Sequence, residues 1–529
     1  MTMPTWWSDR RFGLFVHVSA ASVPAWAPLG ESAEWYRSHL GNDVDDVWLH
    51  PRPLVEVLAH HRDRWGHVEH YDDFVPLLTF EHFDAEAWAA LASEAGAGYS
   101  VLVAKHHDGW IWWDAPGTPR CLTDVGPQRN VLAEYAAACE RHDVLMGAYY
   151  SLLDWGDDHA SAANYADEVL HPQLVDLVER HGPVMLWGDG YWARHTDDRK
   201  TGELLASLHD IDSDVLVNDR WWAPAAEVPD GCPPIVRTFD HHAPDDIVEG
   251  PWELIRGISH SFGYNRAERP DHHLTGFDIV ALFTEVVAKG GHLLLSVGPD
   301  ADGTIPDIQA GPLRDAGSWI RRFEPALEQT SPWTTWGDDR VRFLQSGDDL
   351  LAIDVDGAGI FDALSTNAMR VCSVELVDDH DDHELSWRQD AAGLSVASRP
   401  RDGDFDDDHI GIAVYRIVFE DADLPSELFP AQNPDPIDLA PLLADARPGD
   451  IVQLGDGHYL GPATVPASVI LRGLGPNRTT ISNGAQPATS NVPGEPLLTV
   501  GRHARIEHIR VAGPSDQSHL IATPLVEIP

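Results

Sequence analysis

Short runs of small and branched apolar residues, separated by stretches with helical spacing, fill residues 1–330 and constrain this chain more than any other feature. A strand buried on both faces reads as a continuous apolar run, and joining it to a parallel neighbour takes a crossover, usually a helix. FGLFVH (12–17), YSVLVAKH (99–106), VLMGAYY (144–150), PVMLWG (183–188), DVLVN (214–218) and HLLLSV (292–296) are predicted strands. Two weaker ones fall around Pro234–Phe239 and Ile258–Phe262. DAEAWAALASEAG (84–96), NVLAEYAAACERH (130–142) and FDIVALFTEVVAKG (277–290) carry helical periodicity between them. Eight strands alternating with helices predict an α/β fold, a (β/α)8-like, TIM-type barrel. No glycine fingerprint follows any strand, which disfavours a doubly wound sheet.

The pattern changes after the barrel. Residues 335–421 read as short strands with Gly/Asp turns, predicting an antiparallel β-sandwich. A Pro-rich connector, 422–436, precedes a third region, 424–529, whose very short strands and Gly turns predict a right-handed parallel β-helix-like segment. Only a few rungs are present, so either the natural chain continues or the rungs pack on the sandwich.

The formal net charge of −49 argues against nucleic acid or an anionic membrane surface as partner. Only three lysines occur (Lys105, Lys200, Lys289), and acidic runs such as 402–409 fit either a high-salt habitat or a GC-rich genome. The N-terminus, MTMPTWWSDRRFG, has neither a basic start nor an apolar signal core, and no run approaches a membrane span; the expectation is an unexported, cytoplasmic chain. Cys121, Cys139, Cys232 and Cys372 are too scattered for a zinc or disulfide framework. The DADG stretch at 300–303 lacks the remaining ligands of a calcium loop and reads as a turn, and the DDHDDHE stretch at 378–384 reads as a solvated acidic hairpin.

In a barrel, reactive groups gather where strands end. Those ends carry His17, His106 and His107, Tyr149 and Tyr150, Trp187 and Asp189, then Asp219 and Arg220. Hydrogen-bonding groups and aromatic faces around a carboxylate such as Asp189 suit a small, neutral, polyhydroxylated ring. Plainer readings stand beside this one. A strand-end Asp is commonly a helix cap, adjacent histidines are commonly structural, and Trp6, Trp7, Trp221 and Trp222 fit core packing as well as a sugar platform.

The segments FGLFVH, ESAEWY (31–36), AKHHDG, GAYYSLLDW, LWGDG, VNDRW, HAPDD (242–246) and GHLLLSVGPDADGTIP (291–306) resemble, in order, the α-L-fucosidases of glycoside hydrolase family 29. The resemblance spans residues 6–325. It implies a retaining exo-α-L-fucosidase acting on a fucosylated oligosaccharide or glycoconjugate, without metal or organic cofactor. It further implies Asp189 as nucleophile, with His17, Glu34, Trp35, His106, His107, Tyr150, Trp187 and Arg220 lining the fucose pocket. Tyr149 faces the other way from Tyr150 if the strand extends that far.

The acid/base is where the chain departs. Many members carry Thr-Pro-Glu-Tyr where this chain has Ala243-Pro244-Asp245-Asp246. Asp245 falls on the Glu, one methylene shorter, and Asp246 or Glu249 are alternatives. His17-Val18-Ser19 and Ser296 also depart from the usual His-Trp-Gly and Asn. The rival functions are a catalytically weak fucose- or glycan-binding module, a hydrolase acting on a related sugar, and a structural or adhesive role set by the β-helix-like segment.

Overall fold

A computed structural model of the chain describes residues 3–41, 53–156, 164–191, 200–222 and 231–357. Beyond these it describes 360–361, 370–377, 385–390, 393–396, 410–419, 437–444, 446–447 and short segments between 451 and 521. The acidic stretches at 378–384 and 402–409 and the connector at 422–436 lie outside the described residues.

Eight parallel strands close into a barrel: β1 (Phe12–Val16), β2 (Tyr99–Lys105), β3 (Leu145–Ser151), β4 (Met185–Asp189), β5 (Leu216–Asn218), β6 (Ile235–Asp240), β7 (Trp252–Gly257) and β8 (His292–Val297). Closure is made by β1 against β8, with Phe15 opposite Ser296. The interior is filled by one residue in two from successive strands, among them Phe15, Tyr99, Val101, Tyr149, Trp187 and Leu294. The outer helices start on side-chain caps. Asp84 accepts from the amides of Glu86 and Ala87, and Thr275 and Asp278 form a capping box ahead of helix Gly276–Ala288.

One strand is displaced from its predicted place. The seventh is Trp252–Gly257, not the run around Ile258–Phe262. The chain folds back tightly after Gly257, where a Cβ would fall 2.1 Å from the Ser261 carbonyl oxygen. The following turn is then held by Glu268, whose carboxylate accepts from the hydroxyl of Ser259 and the amides of His260 and Ser261. The run serves a loop because the amides of His260 and Ser261 at its centre are claimed by Glu268 and not by a neighbouring strand.

The chain divides into two compact units, one running to Pro332 and the other beginning at Trp333. In the second, a five-stranded sheet runs in the order Val371–Leu376, Ala413–Phe419, Asp349–Asp354, Val341–Ser346, Ser331–Gly337. It shares a core (Phe343, Leu350, Ala352, Ile417, Leu394, Val396) with a three-stranded antiparallel sheet. Further along, strands Gly457–Leu460, Thr479–Ser482 and Ile509–Val511 stack in parallel. So do Ile451–Gln453, Ile470–Arg472 and Arg505–Glu507, and also Ala463–Val465 and Leu498–Val500. Three stacks of parallel strands visited in rotation are the faces of a β-helix, and His519–Ile521 ends the first of them antiparallel to Ile509–Val511. Leu439, Tyr459, Val465 and Leu471 fill it. Among the described residues no helix is long and apolar enough to cross a membrane.

Candidate active site

Asp189 is the last residue of β4 and is 8% exposed at the C-terminal mouth of the barrel. The end of its strand is fixed from β5. Asn218 accepts from the Gly188 amide and donates to the Gly188 carbonyl, both at 2.8 Å. Gly188 is required here, since a Cβ would lie 2.5 Å from the Trp221 ring. Trp221 is thereby core packing, as is Trp7, which stacks on His292 at 3.6 Å.

The Asp189 carboxylate is held asymmetrically. Tyr149 donates to Oδ2 at 2.9 Å, and Nε2 of His107 lies 3.6 Å from the same oxygen. Oδ1 accepts no hydrogen bond among the described residues, and its nearest cationic atom is Nη1 of Arg220 at 3.7 Å. Burial pushes this carboxyl upward, opposed by the charge of Arg220 and the Tyr149 hydrogen bond. Arg220 lies over the Trp187 ring at 4.9 Å and donates to Thr238 Oγ1 at 2.9 Å. Its Nη2 pairs with Asp240 at the end of β6.

The tyrosine assignment is corrected. Tyr149 reaches the carboxylate, whereas Tyr150 turns outward, donating to Gln173 Oε1 at 2.6 Å with Lys105 Nζ 4.8 Å from its ring. Strand alternation decides this: Tyr149 is in register with inward-facing Trp187, and Ser151 with Asp189. A bulge between Val103 and Lys105 shifts β2 at its end. The Lys105 ammonium pairs with Asp154 at 3.2 Å and donates to the carbonyls of Ser151 and Leu153. It thereby ties down the loop after β3.

His106 and His107 follow directly after the end of β2 at Lys105, and their rings converge to 4.4 Å. Ser151 Oγ lies 2.6 Å from His107 Nδ1, and the Trp155 amide donates to the His107 carbonyl. Trp35 packs edge-on to His107 at 5.3 Å. His17 is close by, 6.2 Å from His106, with Nδ1 2.7 Å from Ser296 Oγ. Ser296 also reaches the carbonyls of Phe262 and Phe15. With its hydroxyl donating to backbone, it accepts from Nδ1–H and leaves Nε2 as the acceptor nitrogen of His17. Burial lowers all three imidazoles, His106 to about 3 and the other two well below their usual range, so they stay neutral.

Glu34 accepts from the Gly263 amide at 3.2 Å, and burial raises it to about 7. With His17, Ser19, His106 and Gly263 it borders a small open recess. Two contributors escaped the sequence reading. Glu253 of β7, also raised to about 7 by burial, accepts from Tyr99 OH at 2.5 Å and from Trp187 Nε1 at 3.0 Å. Asp240 is the other. A charged residue inside the apolar run WELI was the visible signal for Glu253.

Asp245, Asp246 and Glu249 lie exposed on the loop after β6, with Asp246 Oδ1 accepting from the Ile247 amide. The carboxylate that shares Arg220 with Asp189 is Asp240. The DADG stretch forms a turn, Gly303 donating to the Asp300 carbonyl. No group of three or more metal-ligating side chains gathers among the described residues.

A closed barrel whose mouth gathers buried carboxyl groups, Asp189 among them, with aromatic faces and neutral imidazoles has the makings of a glycoside hydrolase. The sequence profile described as alpha-L-fucosidase matches residues 1–324, and the chain belongs to that family. It is 31% identical over 345 residues to an alpha-L-fucosidase of Dictyostelium discoideum, covering 63% of this chain and 72% of that protein. It is 29% identical to the human tissue alpha-L-fucosidase, covering 63% and 70%. The solved alpha-fucosidase of Thermotoga maritima superposes with a TM-score of 0.64 at 29% identity, over 79% of this chain and 97% of that one.

Proposed function

We propose that this protein is a retaining, exo-acting α-L-fucosidase that releases terminal fucose from oligosaccharides or glycoconjugates through a covalent glycosyl-Asp189 intermediate. The observation that carries this reading is the asymmetry of the Asp189 carboxylate. Oδ2 is held by Tyr149, while Oδ1 accepts nothing among the described residues and is the oxygen that attacks. As Oδ1 bonds to the anomeric carbon, the glycosidic bond breaks and its oxygen takes a proton from a second carboxyl. That carboxylate then deprotonates a water, which cleaves the ester and returns fucose with its original configuration. His17, His106, His107, Glu34 and Trp35 hold the hydroxyls and ring faces.

Asp245 and Asp246 are the candidate acids, because Asp240 is committed to Arg220. For either to serve, the loop has to bring it to within about 5.5 Å of Asp189. Their exposure also supports a second reading, a fucose-binding site with weak turnover.

The test is hydrolysis of an aryl α-L-fucoside by wild type, Asp189→Ala, Asp245→Ala and Asp246→Ala, with and without azide. The proposal expects loss in Asp189→Ala with azide giving the inverted glycosyl azide. It expects one of the other two to give the retained azide. Fucose binding without turnover by wild type would favour the second reading.

A further inference from the structure

A line of rings leads out of the pocket. His17 lies 5.2 Å from Phe262, Phe262 lies 5.1 Å from His241, and His241 lies parallel to His260 at 5.4 Å with 5° between the planes. Exposure rises along it, from buried His17 through half-buried Phe262 and His241 to exposed His260. A second route reaches the same place from the carboxylate side. Arg220, 3.7 Å from Asp189, pairs with Asp240, the residue before His241.

The backbone holds His241 in an unusual state. Its φ is +61°, and the His242 amide donates to the Asp240 carbonyl across it at 2.7 Å, a three-residue turn. The His241 amide donates to the Ile255 carbonyl at 2.8 Å. A non-glycine residue in this region costs energy and persists when its surroundings fix it, which is common at ligand-contacting positions. Here the residue so held places its imidazole beside that of His260, at the root of the loop carrying Asp245 and Asp246.

We propose that His241 and His260 form the aglycone-side platform of the site, on which the pyranose carrying the fucose stacks an apolar face. The proposal rests on the fucosidase reading above. The group leaving the anomeric carbon has to depart toward the carboxyl that protonates it, and the candidates proposed above, Asp245 and Asp246, sit on the loop emerging from His241. Burial lowers His241 to about 4, so it offers an uncharged ring at neutral pH. Rings of this kind suit the C–H face of a hexopyranose, while Phe262 joins the platform to the fucose pocket.

The test compares kcat/KM for α-L-fucosyl fluoride, whose leaving group is a single atom, with that for the disaccharide α-L-Fuc-(1→2)-Gal. The His260→Ala variant should lower the disaccharide-to-fluoride ratio about tenfold, and His260→Phe, which keeps a ring, should restore it. If wild type cleaves the disaccharide and the ratio in His260→Ala stays within twofold of wild type, the platform is refuted. Equal loss on both substrates refutes it too, because it marks a general structural effect. If wild type cleaves neither substrate, it is the fucosidase reading that fails.

Discussion

Tyr149 donates to Oδ2 of Asp189 at 2.9 Å while its ring stacks at 5.7 Å on Trp187, two residues before that aspartate on the same strand. One side chain thus fixes both the charge and the wall beside it. Removing only the hydroxyl, in Tyr149→Phe, should lower kcat roughly 10- to 100-fold, the effect of losing one charge-assisted bond at the proposed nucleophile. KM should move less. Steady-state kinetics with an aryl fucoside, beside an unchanged circular dichroism spectrum, checks this.

Tyr150 makes the opposite prediction. Tyr150→Phe strips the partner from buried Gln173 Oε1 and should cost about 1–3 kcal/mol of stability. Its kcat/KM should stay within about twofold of wild type, because the ring faces the helices. Urea unfolding and kinetics on one preparation separate the two effects.

Glu34 and Glu253 are both raised to about 7 by burial, so the folded state holds their protons more tightly than the unfolded chain. Their contribution is full below the unfolded value near 4.5 and is lost as pH rises through 7, so stability falls across that window. Glu253→Gln mimics the protonated acid, accepting from Trp187 and donating to Tyr99. It should shrink the stability loss between pH 5 and pH 8 by about 3 kcal/mol at most. A pH series of denaturant midpoints showing the same slope in the variant would contradict this.

Ser296→Ala removes the acceptor that sets the His17 tautomer. The expected outcome is KM raised about 3- to 10-fold with a smaller change in kcat, since the lost contact holds ground state and transition state alike.

Lys105→Met leaves Asp154 buried without its ammonium partner. A loss of about 3–5 kcal/mol is expected from breaking a buried pair on one side, with kcat falling as the loop that seats His107 loosens. Thermal unfolding provides the readout.

Much of this was legible in the chain itself. The apolar runs at 12–17, 99–106 and 292–296 coincide with strands to within a residue or two, because a strand buried on both faces leaves an uninterrupted apolar signature. The run around Ile258–Phe262 misled because an apolar segment can also serve a loop once Glu268 has satisfied its amides. Tyr150 was preferred to Tyr149 because strand ends tell position but not facing. Counting by twos from Trp187 across the register supplies what was missing. Asp240 left no local mark, since its significance depends on Arg220 arriving from the neighbouring strand.

Arg220 pairs with Asp240 and lies 3.7 Å from Asp189, and the charge of Asp219 acts on it as well. One guanidinium cannot neutralise them all, and the three neighbouring imidazoles, kept uncharged by burial, add nothing to its side. The mouth of the barrel is therefore electron-rich before any ligand arrives. A fucoside enters as a neutral molecule and gains little from that surplus. Positive charge appears on its ring carbon only as the glycosidic bond stretches, and at that moment the surplus finds its counterpart. On the proposed mechanism the pocket is matched to a cation that exists only in passing, a preference built into the fold before the sugar binds.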